Sequence, residues 1–162
     1  MITHTVKLTV PSAKAEQFYN HMLTQTTEQY RQWWPEEHIQ FSITKHGDES
    51  HLGDEVLFDE YLGENIRLVF RAVVTEVNFP NRIVWQMKKA GVRLPAYLYL
   101  EFENSQDGLL ITHTLKVGFT NIGKIFDPFI RIYLNKAFQD ALEKHCRIEF
   151  PKLAEYLSVS QT

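Results

Sequence analysis

Asp127 to Leu157 reads DPFIRIYLNKAFQDALEKHCRIEFPKLAEYL, and this stretch decides the fold. Asp127 suits the N-cap position, and Pro128 fits the first helical position, where a missing N–H costs nothing. Leu134, Phe138, Ala141, Leu142, His145, Glu149 and Leu153 then fall on or near one stripe at helical period. A long amphipathic helix of this kind must bury its stripe against another part of the chain.

The rest of the chain supplies mainly strands. Thr5 to Val10 alternates, with Val6, Leu8 and Val10 on one face. Ser12 can cap a first helix, Ala13 to about Leu23, which carries Phe18, Met22 and Leu23. Glu28 to Trp34 reads as a second short helix, stopped by Pro35. From His38 the period becomes two. Strands are expected over 39–45, 55–62, 66–79, 82–89, 95–102 and 109–120, separated by turns rich in Gly, Asn, Asp and Pro. Short turns between consecutive strands favour an antiparallel meander. The expected fold is therefore α+β: a curved antiparallel sheet of about seven strands wrapped around a long C-terminal helix. A twisted sheet gripping one helix leaves an interior gap, which is where ligands bind.

Composition bounds the function. The chain has 162 residues, fitting one domain over 1–162, with 158–162 expected to fray. Hydrophobic residues make up 44% and charged residues 23%, ordinary values for a globular chain. A net charge of −3 with only short basic pairs argues against nucleic-acid binding. The lone cysteine, Cys146, permits no intrachain disulfide, and the start of the chain does not read as a signal peptide. A cytoplasmic location is the expectation. No apolar run reaches the roughly 18 residues of a membrane span. Both a monomer and a homodimer are compatible with these residues.

Chemistry is sought where polar groups interrupt apolar faces. Glu60 shares a strand face with Val56, Phe58 and Leu62. It is either exposed at a sheet edge or a buried carboxylate that must be protonated, paired or metal-bound. His145 and Glu149 are one helical turn apart, either as a surface hydrogen bond or as two ligands for one cation. His38 follows the second helix near the rim of the expected pocket, and taken alone it reads as a solvent-exposed loop histidine. His113 interrupts the row Ile111, Leu115, Val117, Phe119, as a core histidine or as an acid or base in the cavity. Together His38, Glu60, His145 and Glu149 make a two-His, two-carboxylate set suited to Zn²⁺ or a harder first-row metal. The expected pocket wall is Tyr30, Trp33, Trp34, Phe58, Trp85, Tyr99, Phe138 and Leu142, and the expected ligand is a hydrophobic small molecule.

The element order, with stretches such as Ile111-Thr112-His113-Thr114-Leu115 ahead of the long helix, resembles the Bet v 1-like or START-like helix-grip superfamily, which includes the polyketide cyclase/dehydrase group. A narrower resemblance is to the diacetylphloroglucinol hydrolase family. Its signatures are matched by Trp33-Trp34-Pro35-Glu36-Glu37-His38, by Asp59-Glu60-Tyr61 and by His145-Cys146-Arg147-Ile148-Glu149. The members of that family are longer than this chain. The resemblance implies zinc held by His38, Glu60, His145 and Glu149. It also implies hydrolysis of a carbon–carbon bond beside a carbonyl, with His113 protonating the leaving carbon or steadying the carbonyl. Two other readings share the same fold: a carrier of apolar ligands, and a metal-free cyclase or dehydratase working by His and carboxylate acid–base chemistry.

Overall fold

A computed structural model describes residues 1–63, 66–119 and 134–159. Its elements run β1 (Ile2–Val10), α1 (Ala15–Thr24), α2 (Thr27–Trp33), β2 (His38–Lys45), β3 (Glu55–Leu62), β4 (Ile66–Asn78), β5 (Arg82–Lys89), β6 (Val92–Ser105), β7 (Gly108–Val117) and α3 (Lys136–Val159). The seven strands form one antiparallel sheet in the order β1-β7-β6-β5-β4-β3-β2. β1 and β2 are thus its two edges. The helix α3 packs against β1, β3, α1 and α2. This is the helix-grip arrangement, with a curved antiparallel sheet closed over a C-terminal helix.

Alternation along the strands sets the core. Val6, Val56, Phe58, Ala72, Val74, Ile83, Trp85, Leu100, Phe102, Leu109 and Ile111 are buried in the sheet. Leu142, Cys146, Phe150 and Leu153 meet them from α3. Phe18 of α1 joins the layers: its ring lies 6.2 Å from Phe102 in an edge-on contact and 6.5 Å from Phe150. Such aromatic contacts add to the burial energy of the rings themselves.

Several boundaries differ from those the sequence suggests, each for a local reason. Ser12 does not cap α1: it adopts a left-handed backbone with φ of 61°. The N-cap is Lys14, which makes no side-chain cap hydrogen bond. The free N–H of Ala15 donates instead to Asn104 Oδ1 at 2.9 Å, across the sheet. α2 starts earlier than expected because Thr26 and Gln29 form a reciprocal capping box. β6 begins at Val92 and runs through Pro95, where the pairing with β5 slips between Gln86 and Lys88. A proline is tolerated there because a bulge asks for no ladder N–H. The last strand ends at Val117, so Phe119 lies beyond it and is exposed. The expected Asp127 cap and Pro128 lie outside the described residues. α3 begins at Lys136, where Asn135 Oδ1 accepts the Phe138 N–H at 2.9 Å, and it continues through Val159. Leu134 precedes the helix rather than opening its stripe.

The Asn104 bond makes one end of α1 depend on the sheet. Asn104→Ala is expected to lower stability by about 1 kcal/mol, the usual worth of a lost cap. The midpoint of urea unfolding reads this directly, and an unchanged midpoint would show that the bond contributes nothing.

Candidate metal centre

The register of the sheet does the first part of the assembly. His38 on β2 stands directly opposite Glu60 on β3. Facing positions of this kind bring Cβ atoms to about 5 Å. The helix α3 then lays His145 and Glu149, one turn apart, over that pair. One ligand atom from each of His38, Glu60, His145 and Glu149 lies within 4.8 Å of all the others. His38 Nε2 is 3.6 Å from Glu149 Oε1, and His145 Nε2 is 3.6 Å from Glu149 Oε2. A tetrahedral ion with bonds of about 2.1 Å sets its ligands roughly 3.4 Å apart. The two pairs at 3.6 Å are therefore spaced as corners of such a site, and the whole set is compact enough to share one ion.

Hydrogen bonds decide which atom each imidazole presents. His38 Nδ1 lies 2.9 Å from the carbonyl oxygen of Tyr30. A carbonyl only accepts, so Nδ1 carries the proton. His145 Nδ1 lies 2.8 Å from Glu37 Oε2 and likewise donates. The two Nε2 atoms are buried and have no hydrogen-bond partner among the described residues. Outer groups that tie off one ring nitrogen and aim the other inward are the usual support of metal-bound histidines. Stacking fixes the ring planes as well. Tyr30 lies flat on His38 at 3.7 Å between centroids, and Trp34 on His145 at 4.7 Å. The Tyr30 hydroxyl donates to Glu60 Oε2.

His38, His145 and Glu149 are buried, while Glu60 keeps part of its surface open. The electrostatics follow from this. Burial pushes the Glu60 carboxyl up, and the negative charge of Glu149 adds to the effect. Glu149 moves the other way: burial opposes its charge, but His145 and then His38 outweigh that and hold it low. His145 is raised, since the carboxylates of Glu149, Glu60 and Glu37 together overcome the cost of burying its cation. Burial also pushes the Tyr30 hydroxyl well above its ordinary range, so it remains a donor.

An apolar cavity of about 350 Å³ opens beside the cluster. Leu68, Phe70, Met87, Leu98, Leu115 and Phe138 are among its lining. A smaller space of about 40 Å³ lies next to it, bordered by His145 and Glu149. Glu60, Phe70, Leu98, His113 and Leu142 line both. His113, like the donor Glu60, therefore borders both spaces. Burial drops the His113 pKa to about 4, and its Nδ1 has no hydrogen-bond partner among the described residues.

The expected pocket wall is thus divided among four places. Phe58 and Trp85 border the inner space, Phe138 the larger cavity and Leu142 both. Tyr30, Trp33 and Trp34 pack around the histidine rings. Tyr99 lies elsewhere. It alternates with Leu98 and Leu100 and so faces the opposite side of the sheet, with Lys116 4.4 Å and Arg82 5.3 Å from its ring. Glu37 is the residue whose part sequence reading missed. It sits in a Glu-Glu pair that reads as a solvated surface, and only the fold brings α3 to it.

The helix-grip fold of this chain is shared by many solved structures. A ginseng major latex-like protein from Panax ginseng matches with a TM-score of 0.58 at 8% identity, over 89% of this chain and 96% of its own. The Aha1 dimer from Colwellia psychrerythraea matches with a TM-score of 0.51 at 15% identity, over 88% of this chain and 97% of that one. A protein from Thermus thermophilus matches with a TM-score of 0.61 at 15% identity, over 99% of this chain and 100% of its own. At such identities the likeness concerns the fold alone. No protein-family model and no curated protein sequence matches the chain. No described helix is long and apolar enough to cross a membrane.

The raised His145 gives a signed expectation. Its folded pKa lies above the ordinary value of 6.5, so its proton stabilises the metal-free fold at low pH, and this is lost as pH rises through the raised value. A metal needs that proton gone. Zinc affinity is expected to rise with pH past 6.5 and to level only above the raised pKa. Titration calorimetry in buffers of different ionisation enthalpy should show proton release on zinc addition. A pH-independent affinity with no released proton would contradict the assignment.

Proposed function

We propose that this chain is a metal-dependent hydrolase, with zinc as its metal, acting on a small hydrophobic carbonyl compound such as an acylated phenol. The observation that carries this reading is the grouping of two buried imidazoles and two carboxylates beside an apolar cavity whose wall includes Glu60 and His113. His38, Glu60, His145 and Glu149 would hold the ion. Bound there, it would supply Lewis-acid polarisation of a carbonyl and lower the pKa of water toward neutrality.

The chain's own residues do the rest. The wall of Leu68, Phe70, Met87, Leu98 and Phe138 takes up the apolar body of the substrate and keeps bulk water out. Among the described residues that wall contributes no lysine or arginine to pair with an anionic substrate group. The carbonyl is left to Glu60 and His113, the polar residues among the described part of the wall. With a pKa of about 4, His113 is neutral at pH 7. It holds one N–H and one lone pair, which suits steadying a carbonyl oxygen or accepting a proton. It is not a stored acid, so protonation of a leaving carbon by His113 would require it to gain that proton during turnover.

The same apolar wall also suits a carrier of hydrophobic ligands, and metal content separates the readings. Protein purified without a metal-affinity tag is expected to hold about one zinc per chain, as one four-donor site allows. The double substitution His145→Ala, Glu149→Ala should remove it. A wild type that holds no zinc and takes up none on addition overturns the hydrolase reading in favour of the carrier. With acylated phenols or diketones as substrates, His113→Ala is expected to keep the zinc and lower kcat by about 10²-fold, the scale of one lost carbonyl donor. Unchanged turnover would remove His113 from the mechanism, and turnover that survives a chelator would point to metal-free acid–base chemistry.

A further inference from the structure

The two histidines of the cluster are oriented by different means. His38 gives its Nδ1–H to a backbone carbonyl, that of Tyr30. No side-chain substitution removes that acceptor. His145 gives its Nδ1–H to a side chain, the carboxylate of Glu37 at 2.8 Å. Glu37 belongs to the segment between α2 and β2, and α3 reaches it from 108 positions further along the chain. It is held on three counts. Its N–H donates to the Trp34 carbonyl at 3.2 Å, its own carbonyl accepts the Tyr61 N–H at 2.8 Å, and its Oε2 accepts the Gly63 N–H at 3.2 Å. The acceptor presented to His145 is therefore fixed by two stretches of backbone, before β2 and after β3. The ring itself is held by Trp34, whose indole also has the Lys152 ammonium 5.8 Å from its centre.

We infer that Glu37 is a positioning residue for the metal: by accepting the Nδ1–H it fixes the His145 tautomer, so that the lone pair on Nε2 points to the ion. The inference rests on the metal-site reading above. It differs from a second possibility, in which Glu37 serves only as a counter-charge to a protonated His145. Geometry and charge can be separated by chemistry. Glutamine keeps an oxygen acceptor at the same reach and loses the charge. Leucine is of similar bulk and loses both.

The experiment compares wild type, Glu37→Gln and Glu37→Leu by zinc competition against a chromophoric chelator. Imidazole ¹⁵N shifts of the zinc-loaded proteins provide a readout other than activity. Loss of an outer partner typically weakens metal binding by about 10- to 100-fold. That loss is expected for Glu37→Leu, whereas Glu37→Gln should stay within about threefold of wild type, because the acceptor it retains is what the outer shell requires. In the wild type and Glu37→Gln, His145 should carry its proton on Nδ1 and bind zinc through Nε2. Equal losses in the two variants would overturn the tautomer role in favour of charge. Wild-type affinity in Glu37→Leu, or zinc on Nδ1 in the wild type, would overturn it outright. If Glu37→Leu does not fold, Glu37→Gln and the wild-type shifts still decide. A wild type that binds no zinc defeats the metal-site reading itself, and this inference with it.

Discussion

Two carboxylates, Glu60 and Glu149, lie in one desolvated space, and their charge has to be met there. Uncompensated, such a pair would cost several kcal/mol per ion. Everything around them can be read as an answer to that constraint. In the metal-free chain the answer is a firmer hold on the proton at both His145 and Glu60. A divalent ion would replace both with one stronger charge. The hydrogen bonds from Tyr30, His38 and His145 toward fixed acceptors determine that these are the forms available.

The sheet and the helix contribute to this in different ways. β2 and β3 set His38 against Glu60 through strand register, which a slip of one strand by one residue would destroy by turning its side chain to the other face. The helix sets His145 and Glu149 by its pitch, which is insensitive to such slips. What joins the halves is packing of Phe150, Leu153 and Cys146 against the sheet and α1. The energy that holds the site together is thus mostly apolar, and the polar groups contribute direction.

Much of this was legible in the sequence because it is periodic. Alternation marked the strands, and the break in alternation at Glu60 and His113 marked the site. The helical spacing of His145 and Glu149 marked its second half. What escaped was nonlocal. Asn104 serves a helix 89 positions away, and Glu37 serves one 108 positions away, so neither leaves a local pattern. Ser12 carried a cap signal that its left-handed backbone did not use. Tyr99 was within reach of the pattern: its alternation with Leu98 and Leu100 already put it on the far face. The face of the sheet, not the aromatic character of the side chain, decides what lines the cavity.

Tyr30 touches the cluster three times, through its carbonyl, its ring and its hydroxyl. Eight positions separate it from His38. Those positions must close a path from the end of α2 to the start of β2 while returning the imidazole beneath the phenol that stands before it. The path therefore has a length as well as a composition. An inserted or deleted residue between Tyr30 and His38 would leave every donor type in place, yet part the ring from its stacking partner and the Nδ1–H from its acceptor. In this fold the spacing of that segment works as a ruler, and the chemistry of the site is written in its count of residues as much as in their kinds.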